Sequence, residues 1–204
     1  METSKAARDE MLDLAHRLSG LDHRLWDTQS LCSRWRIRDV LAHLVAGADG
    51  AFGFAAVASG LVRHRFDYHG WVAADGQARG QQDPVLLLQG LQRVARTRDH
   101  TGPRGLMHVV VHGQDMCRPL RISRGLPLPH LAVAADVLAG DRLIVGARRR
   151  ITGVTLIATD TAWRHGRGPE VSGPLEALVM MMAGRSVALD DLVGEGKSAL
   201  EARL

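Results

Sequence analysis

Three histidines carry the chemistry most open to view in this sequence: His43 in Asp39-Val40-Leu41-Ala42-His43-Leu44, and the pair His108 and His112 separated by three valines. Neutral imidazole is a preferred zinc ligand, and each of these lies on a face its helix does not need for packing. At about 100° per residue, a helix over Ile37 to Ala48 gathers Ile37, Val40, Leu41, Leu44, Val45 and Ala48 into one apolar stripe. His43 points away from that stripe, on the side of Asp39, Ala46 and Gly50, whose small or polar side chains suit a cavity wall. Val109, Val110 and Val111 could belong to a strand. There, residues four apart would lie about 13 Å from each other, too far to share an ion. In a helix the same pair are neighbours at about 5 to 6 Å between Cβ atoms. The flanks favour helix: Thr101 or Gly102 can cap, Pro103 suits the first turn and Pro119 stops the run. Asp115 then joins His108 and His112 on one face, opposite Leu106, Val110 and Cys117.

The elements that must hold these residues come next. A chain of 204 residues that is 46% hydrophobic can bury a full core, enough for one ordinary domain and a smaller one. No window approaches the ~20 apolar residues needed to cross a bilayer, and the opening Met1-Glu2-Thr3-Ser4-Lys5 lacks a signal peptide's apolar core, so a cytoplasmic protein is expected, with no membrane partner. Cys32 and Cys117 form no Cys-x-x-Cys pair and read as buried thiols. The net charge of +4 raises nucleic acid as a partner. Against it, the arginines are scattered among 22 acids, and the one dense cluster, Arg148-Arg149-Arg150, has no interleaved aromatics, so no nucleic-acid role is expected.

Ala7, Met11, Leu14 and Leu18 recur at helical spacing and are closed by Gly20. A second helix is predicted from about Arg36 towards Gly60, and 63–82 reads as a long, partly helical connection. Asp83-Pro84 opens a third helix carrying Leu87, Leu91, Val94 and Ala95, and the histidine-pair helix is the fourth. Four successive helices argue for a bundle, which builds metal sites from inward-facing side chains of different helices. Beyond Pro129 a further helix is predicted to about Ala147. A β-rich run from Ile151 to Thr159 follows, then a strand containing Trp163, a turn at Gly166-Arg167-Gly168-Pro169, a short strand at Val171 and a helix from Gly173-Pro174 to Gly184. The expectation is a mainly α protein: a helical bundle over 1–147 and a small α/β domain over 148–204.

The stretch Leu31-Cys32-Ser33-Arg34-Trp35-Arg36-Ile37-Arg38-Asp39-Val40-Leu41-Ala42-His43-Leu44 resembles the opening signature of the mycothiol-dependent maleylpyruvate isomerase family, part of the DinB-like superfamily. So does Val111-His112-Gly113-Gln114-Asp115 followed by Arg118-Pro119-Leu120, and the run from Trp163 to Pro174 and on to Arg185 resembles that family's small second domain. The resemblance implies a DinB-like four-helix bundle, a divalent ion, usually zinc, held by three ligands mapping onto His43, His108 and His112, and mycothiol as the thiol cosubstrate. One departure stands out: the isomerase branch typically has glutamate where this chain has His108, so the set here is three histidines. The resemblance also places a catalytic arginine in the C-terminal domain, for which Arg185 is the candidate.

Three neutral imidazoles leave an ion an open fourth position, as catalytic sites do. An exogenous thiol entering there is deprotonated, so the chain needs no cysteine nucleophile of its own. The expected function is a metal- and mycothiol-dependent S-transferase or cis-trans isomerase in which the thiolate attacks a small electrophile; the alternative is a DinB-like bundle that binds metal or a small ligand without turnover. Asp115 either holds a ligand imidazole or caps local backbone. Asp39 either orients His43 or, as expected, pairs with a surface arginine. Trp163 and His165 are candidate cofactor contacts. His64, His69, His100 and His130 have no partner at useful spacing and are taken as non-ligands, and His165 likewise binds no metal.

Overall fold

The computed structural model describes residues 2–98 and 102–204. The cap at Thr101 and His100 lie outside them. Its helices are α1 (Thr3–Leu18), α2 (Ile37–Ala48), α3 (Phe54–Arg63), α4 (Tyr68–Arg79), α5 (Pro84–Thr97), α6 (Gly102–Cys117), α7 (Leu128–Gly140), α8 (Ala147–Ile151), α9 (Leu175–Met182) and α10 (Lys197–Glu201). Three short strands, β1 (Thr155–Ala158), β2 (Arg164–Gly166) and β3 (Glu170–Gly173), complete a mainly α protein. No described helix is long and apolar enough to cross a membrane.

The chain divides into two compact units. The first comprises Met1–Gly105 and His112–Arg124, the second Leu106–Val111 and Gly125–Leu204, so the continuous helix α6 contributes to both. In the first unit, α5 packs against both α1 and α2. Met11, Leu14 and Leu18 of α1 and Ile37, Val40, Leu41 and Leu44 of α2 are buried, in the spacing read from the sequence. Each such fully buried leucine contributes roughly 1.5–3 kcal/mol of transfer free energy. Asp83 caps α5 by accepting the Val85 N–H at 2.8 Å, with Pro84 behind it at the first helical position.

Two predicted spans differ. The helix expected to run from Arg36 towards Gly60 stops at Ala48 and restarts as α3, because Gly50 turns the chain at a positive φ of 81° that a side chain would resist. The predicted connection over 63–82 contains α4, started by Asp67, whose carboxylate accepts the Gly70 N–H at 2.8 Å.

In the second unit, β1 lies between β2 (antiparallel) and β3 (parallel), with Leu156 opposite His165 and Val171. The helix predicted to reach Ala147 ends at Gly140: Asp141 turns the chain by accepting the N–H groups of Val145 and Gly146, and the arginine cluster then forms α8. α7 packs on α8 and α9, and with them it falls in the second unit, which takes in Gly125–Leu204 as well as Leu106–Val111. Ile151, expected in a strand, closes α8, and Trp163 sits just before β2, its carbonyl accepting the Ala158 N–H at 3.0 Å.

Candidate metal centre

α2 delivers His43 and α6 delivers His108 and His112, one helical turn apart. The three rings offer donor nitrogens that all lie within 4.8 Å of one another. A tetrahedral zinc with nitrogens at 2.0–2.1 Å separates its ligand atoms by about 3.3 Å, so the three rings would have to draw closer to share one ion. The chemistry of the donor set fits the divalent metal that the sequence implied.

His43 is 8% exposed, and its ring lies 4.7 Å from Trp35, 5.1 Å from Phe52 and, edge-on, 5.1 Å from His112. Trp35 is itself anchored, its indole N–H donating to the Ala73 carbonyl at 3.0 Å. This aromatic wall keeps water off one side of the imidazoles, where an ion's charge acts more strongly than in water.

Asp115 is fully buried, and its Oδ2 lies 2.9 Å from Nδ1 of His112. A carboxylate only accepts, so this contact favours the tautomer with its proton on Nδ1, which would leave Nε2 open to a metal. Of the two readings open from the sequence, the structure therefore supports the imidazole-holding one. Since loss of such a partner typically weakens metal affinity 10–100-fold, Asp115→Asn should raise the metal's Kd by roughly that factor in a chelator competition assay. An unchanged Kd would reduce the contact to packing.

Asp39 does pair with an arginine, but in the interior: it is 1% exposed and accepts the Arg36 N–H and both Nε and Nη2 of its guanidinium at 3.0 Å. It fastens the first turn of α2, upstream of His43, rather than lying on the surface. Arg124 does the equivalent for α6. Its guanidinium, 1% exposed, pairs with buried Glu10 of α1 at 2.6 Å and packs on Gly113, where an added Cβ would run into Nη1. A glycine next to His112 is thus required by close approach.

Cys117 is buried as expected, and burial pushes its thiol up to about 11. Cys32 departs from expectation. It is half-buried, and its Sγ donates to Asp115 Oδ2 at 3.1 Å, so it stands beside the histidines. Periodicity carries no signal for Cys32, Trp35 or Phe52, because all three reach the site from irregular segments.

In the second unit, Trp163 donates its indole N–H to Asp136 at 2.9 Å and stacks on His165 with centroids 6.1 Å apart. Asp136 and His165 line a cavity of about 470 Å³ with Ala139, Gly140 and Arg148. Arg185 follows α9 and hydrogen-bonds the Ala183 carbonyl, while Arg150 holds the Met182 carbonyl at 2.5 Å. Burial, then the charges of Arg185 and Arg149, lower the Arg150 pKa, which marks a concentration of positive charge at this end of α9.

The family model of the mycothiol maleylpyruvate isomerase N-terminal domain matches residues 7–101. No curated protein matches the chain. Two crystal structures share its fold across 96% of this chain and 92% of theirs, each at 15% identity: a histidine-to-alanine mutant of the mycothiol-dependent maleylpyruvate isomerase, with a TM-score of 0.61, and the mycothiol-dependent maleylpyruvate isomerase itself, with 0.56. Residues 7–101 thus resemble the N-terminal domain of the mycothiol-dependent maleylpyruvate isomerase family, and the whole chain shares the fold of the mycothiol-dependent maleylpyruvate isomerase.

Proposed function

We propose that this protein is a metal-dependent enzyme, zinc being the expected ion, that uses mycothiol as S-transferase or cis-trans isomerase on a small electrophile. The observation that carries the reading is the set of three converging imidazoles, a donor set that leaves an ion room for one more ligand. When bound, the ion supplies the positive charge that keeps an incoming thiol deprotonated at neutral pH. His43, His108 and His112 hold the ion, Asp115 fixes the His112 ring, and Trp35 and Phe52 exclude water from one side. Trp163 and His165, with their stacked rings, are the proposed contacts to the thiol cofactor. Arg185, in its charge-rich setting beside Arg150, binds an anionic group of electrophile or cofactor. The expected location is the cytoplasm, whose reducing poise keeps such a thiol free.

Cobalt-substituted protein tests the thiol step: mycothiol should produce a sulfur-to-metal charge-transfer band. An unchanged spectrum at saturating thiol would favour the alternative, a bundle that binds metal or a small ligand without turnover.

Arg185 separates catalysis from binding. Losing a charge-assisted hydrogen bond costs about 1.5–3 kcal/mol, so Arg185→Ala should slow a thiol-dependent reaction roughly ten- to a hundredfold while metal content and Tm stay nearly intact. Lysine should restore only part, lacking the planar fork. Equal turnover in all three proteins would return Arg185 to a helix-end residue.

A further inference from the structure

His112 belongs to two donor groups. Besides the three imidazoles, Cys32, His112 and Asp115 offer a sulfur, a nitrogen and an oxygen all within 4.8 Å of one another. We propose that Cys32 Sγ, Asp115 Oδ2 and Nδ1 of His112 form a second cation site, selective for thiophilic ions, that shares the His112 ring with the three-histidine site through its opposite nitrogen.

The separations suit this. Asp115 Oδ2 lies 3.1 Å from the sulfur and 2.9 Å from Nδ1, hydrogen-bond distances that must open by only a few tenths of an ångström to admit an ion with Zn–S near 2.3 Å and Zn–N or Zn–O near 2.0–2.2 Å. The loop bearing Cys32 is held in place. Its N–H donates to Ser30 Oγ at 3.1 Å, and its carbonyl accepts from Gln29 Nε2 at 2.7 Å and from the Trp35 N–H at 2.9 Å. One residue back, the Leu31 N–H donates to the Asp115 carbonyl at 3.1 Å, stitching the loop to α6 beside the other two donors. Asp115 is fully buried whereas Cys32 is half-buried, so the sulfur is the donor nearest to solvent.

The two sites differ in kind. Three neutral imidazoles suit borderline ions, whereas a thiolate draws softer ones such as cadmium or copper(I). Filling the second site exchanges the Nδ1 and thiol protons for an ion and takes Asp115 from its role as acceptor to His112. A thiophilic ion would therefore couple directly to the first site through one ring.

The test is a cadmium titration of the full chain, reading total metal per chain and the sulfur-to-cadmium charge-transfer absorption. Wild type should reach about two ions per chain with the band present. Cys32→Ser should lose one ion and the whole band, Cys117→Ser should match wild type, and His43→Ala should lose one ion yet keep the band. Absence of the band in wild type at saturating cadmium, or an undiminished band in Cys32→Ser, would overturn the second site. A single ion whose band vanishes in Cys32→Ser would sustain the thiolate site and overturn the three-histidine assignment instead, so the two readings fail separately.

Discussion

Purified His43→Ala, His108→Ala and His112→Ala proteins should each carry almost no divalent metal, whereas wild type should carry about one tightly bound ion per chain. Protein-bound zinc is held with a free energy on the order of 10 kcal/mol, and removing one of three protein ligands forfeits about a third of that. Some 3 kcal/mol is roughly a hundredfold in Kd, enough to empty the site during dialysis. Thiol-dependent turnover should fall with the metal. His43→Ala also leaves a gap between Trp35 and Phe52, whose rings lie 4.7 and 5.1 Å away, so its Tm should drop while the more exposed His112 costs less fold stability. Elemental analysis beside circular dichroism separates the two effects. Metal near one per chain in all three folded variants would sink the assignment.

The largest stability effect should come from Arg124. Its guanidinium and the Glu10 carboxylate are 1% and 6% exposed, and breaking such a buried pair by removing one partner costs about 3–5 kcal/mol. At roughly 2–4 °C per kcal/mol for a chain of this size, Arg124→Met should lower Tm by roughly 6–20 °C. The double variant Glu10→Leu with Arg124→Met should recover most of the loss, because no buried charge is then left alone. Gly113, one residue from His112, rests on that guanidinium, so the single variant should also weaken metal binding. A double variant no more stable than Arg124→Met would show that packing rather than charge dominates there.

The start of α2 at Ile37 and its apolar stripe were legible, and so were the start of α5 at Asp83-Pro84 and the end of α6 before Pro119. These depend on local patterns: apolar periodicity, a carboxylate cap, a proline that cannot continue a helix. The break at Gly50 was not, because the apolar pattern runs on through 51–62 and one glycine is not a reliable stop. The end of α7 at Gly140 was hidden for a related reason. Asp141 captures two backbone N–H groups four and five residues ahead, an arrangement that an apolar count does not register.

The sequence alone determined that three histidines lie off their apolar stripes, and that His108 and His112 share one face, since both follow from helical geometry within a single segment. Only the tertiary structure decided that His43 meets that pair, that Asp115 holds the His112 ring and that Cys32 joins them, 83 residues away from Asp115 along the chain. It also decided that Asp39 and Arg124 are buried, although the sequence marks both as surface types. The physical reason is the same throughout. Periodicity reports which side of an element is apolar, whereas the partner a polar side chain finds depends on which other element packs against it, and that is set by the whole core.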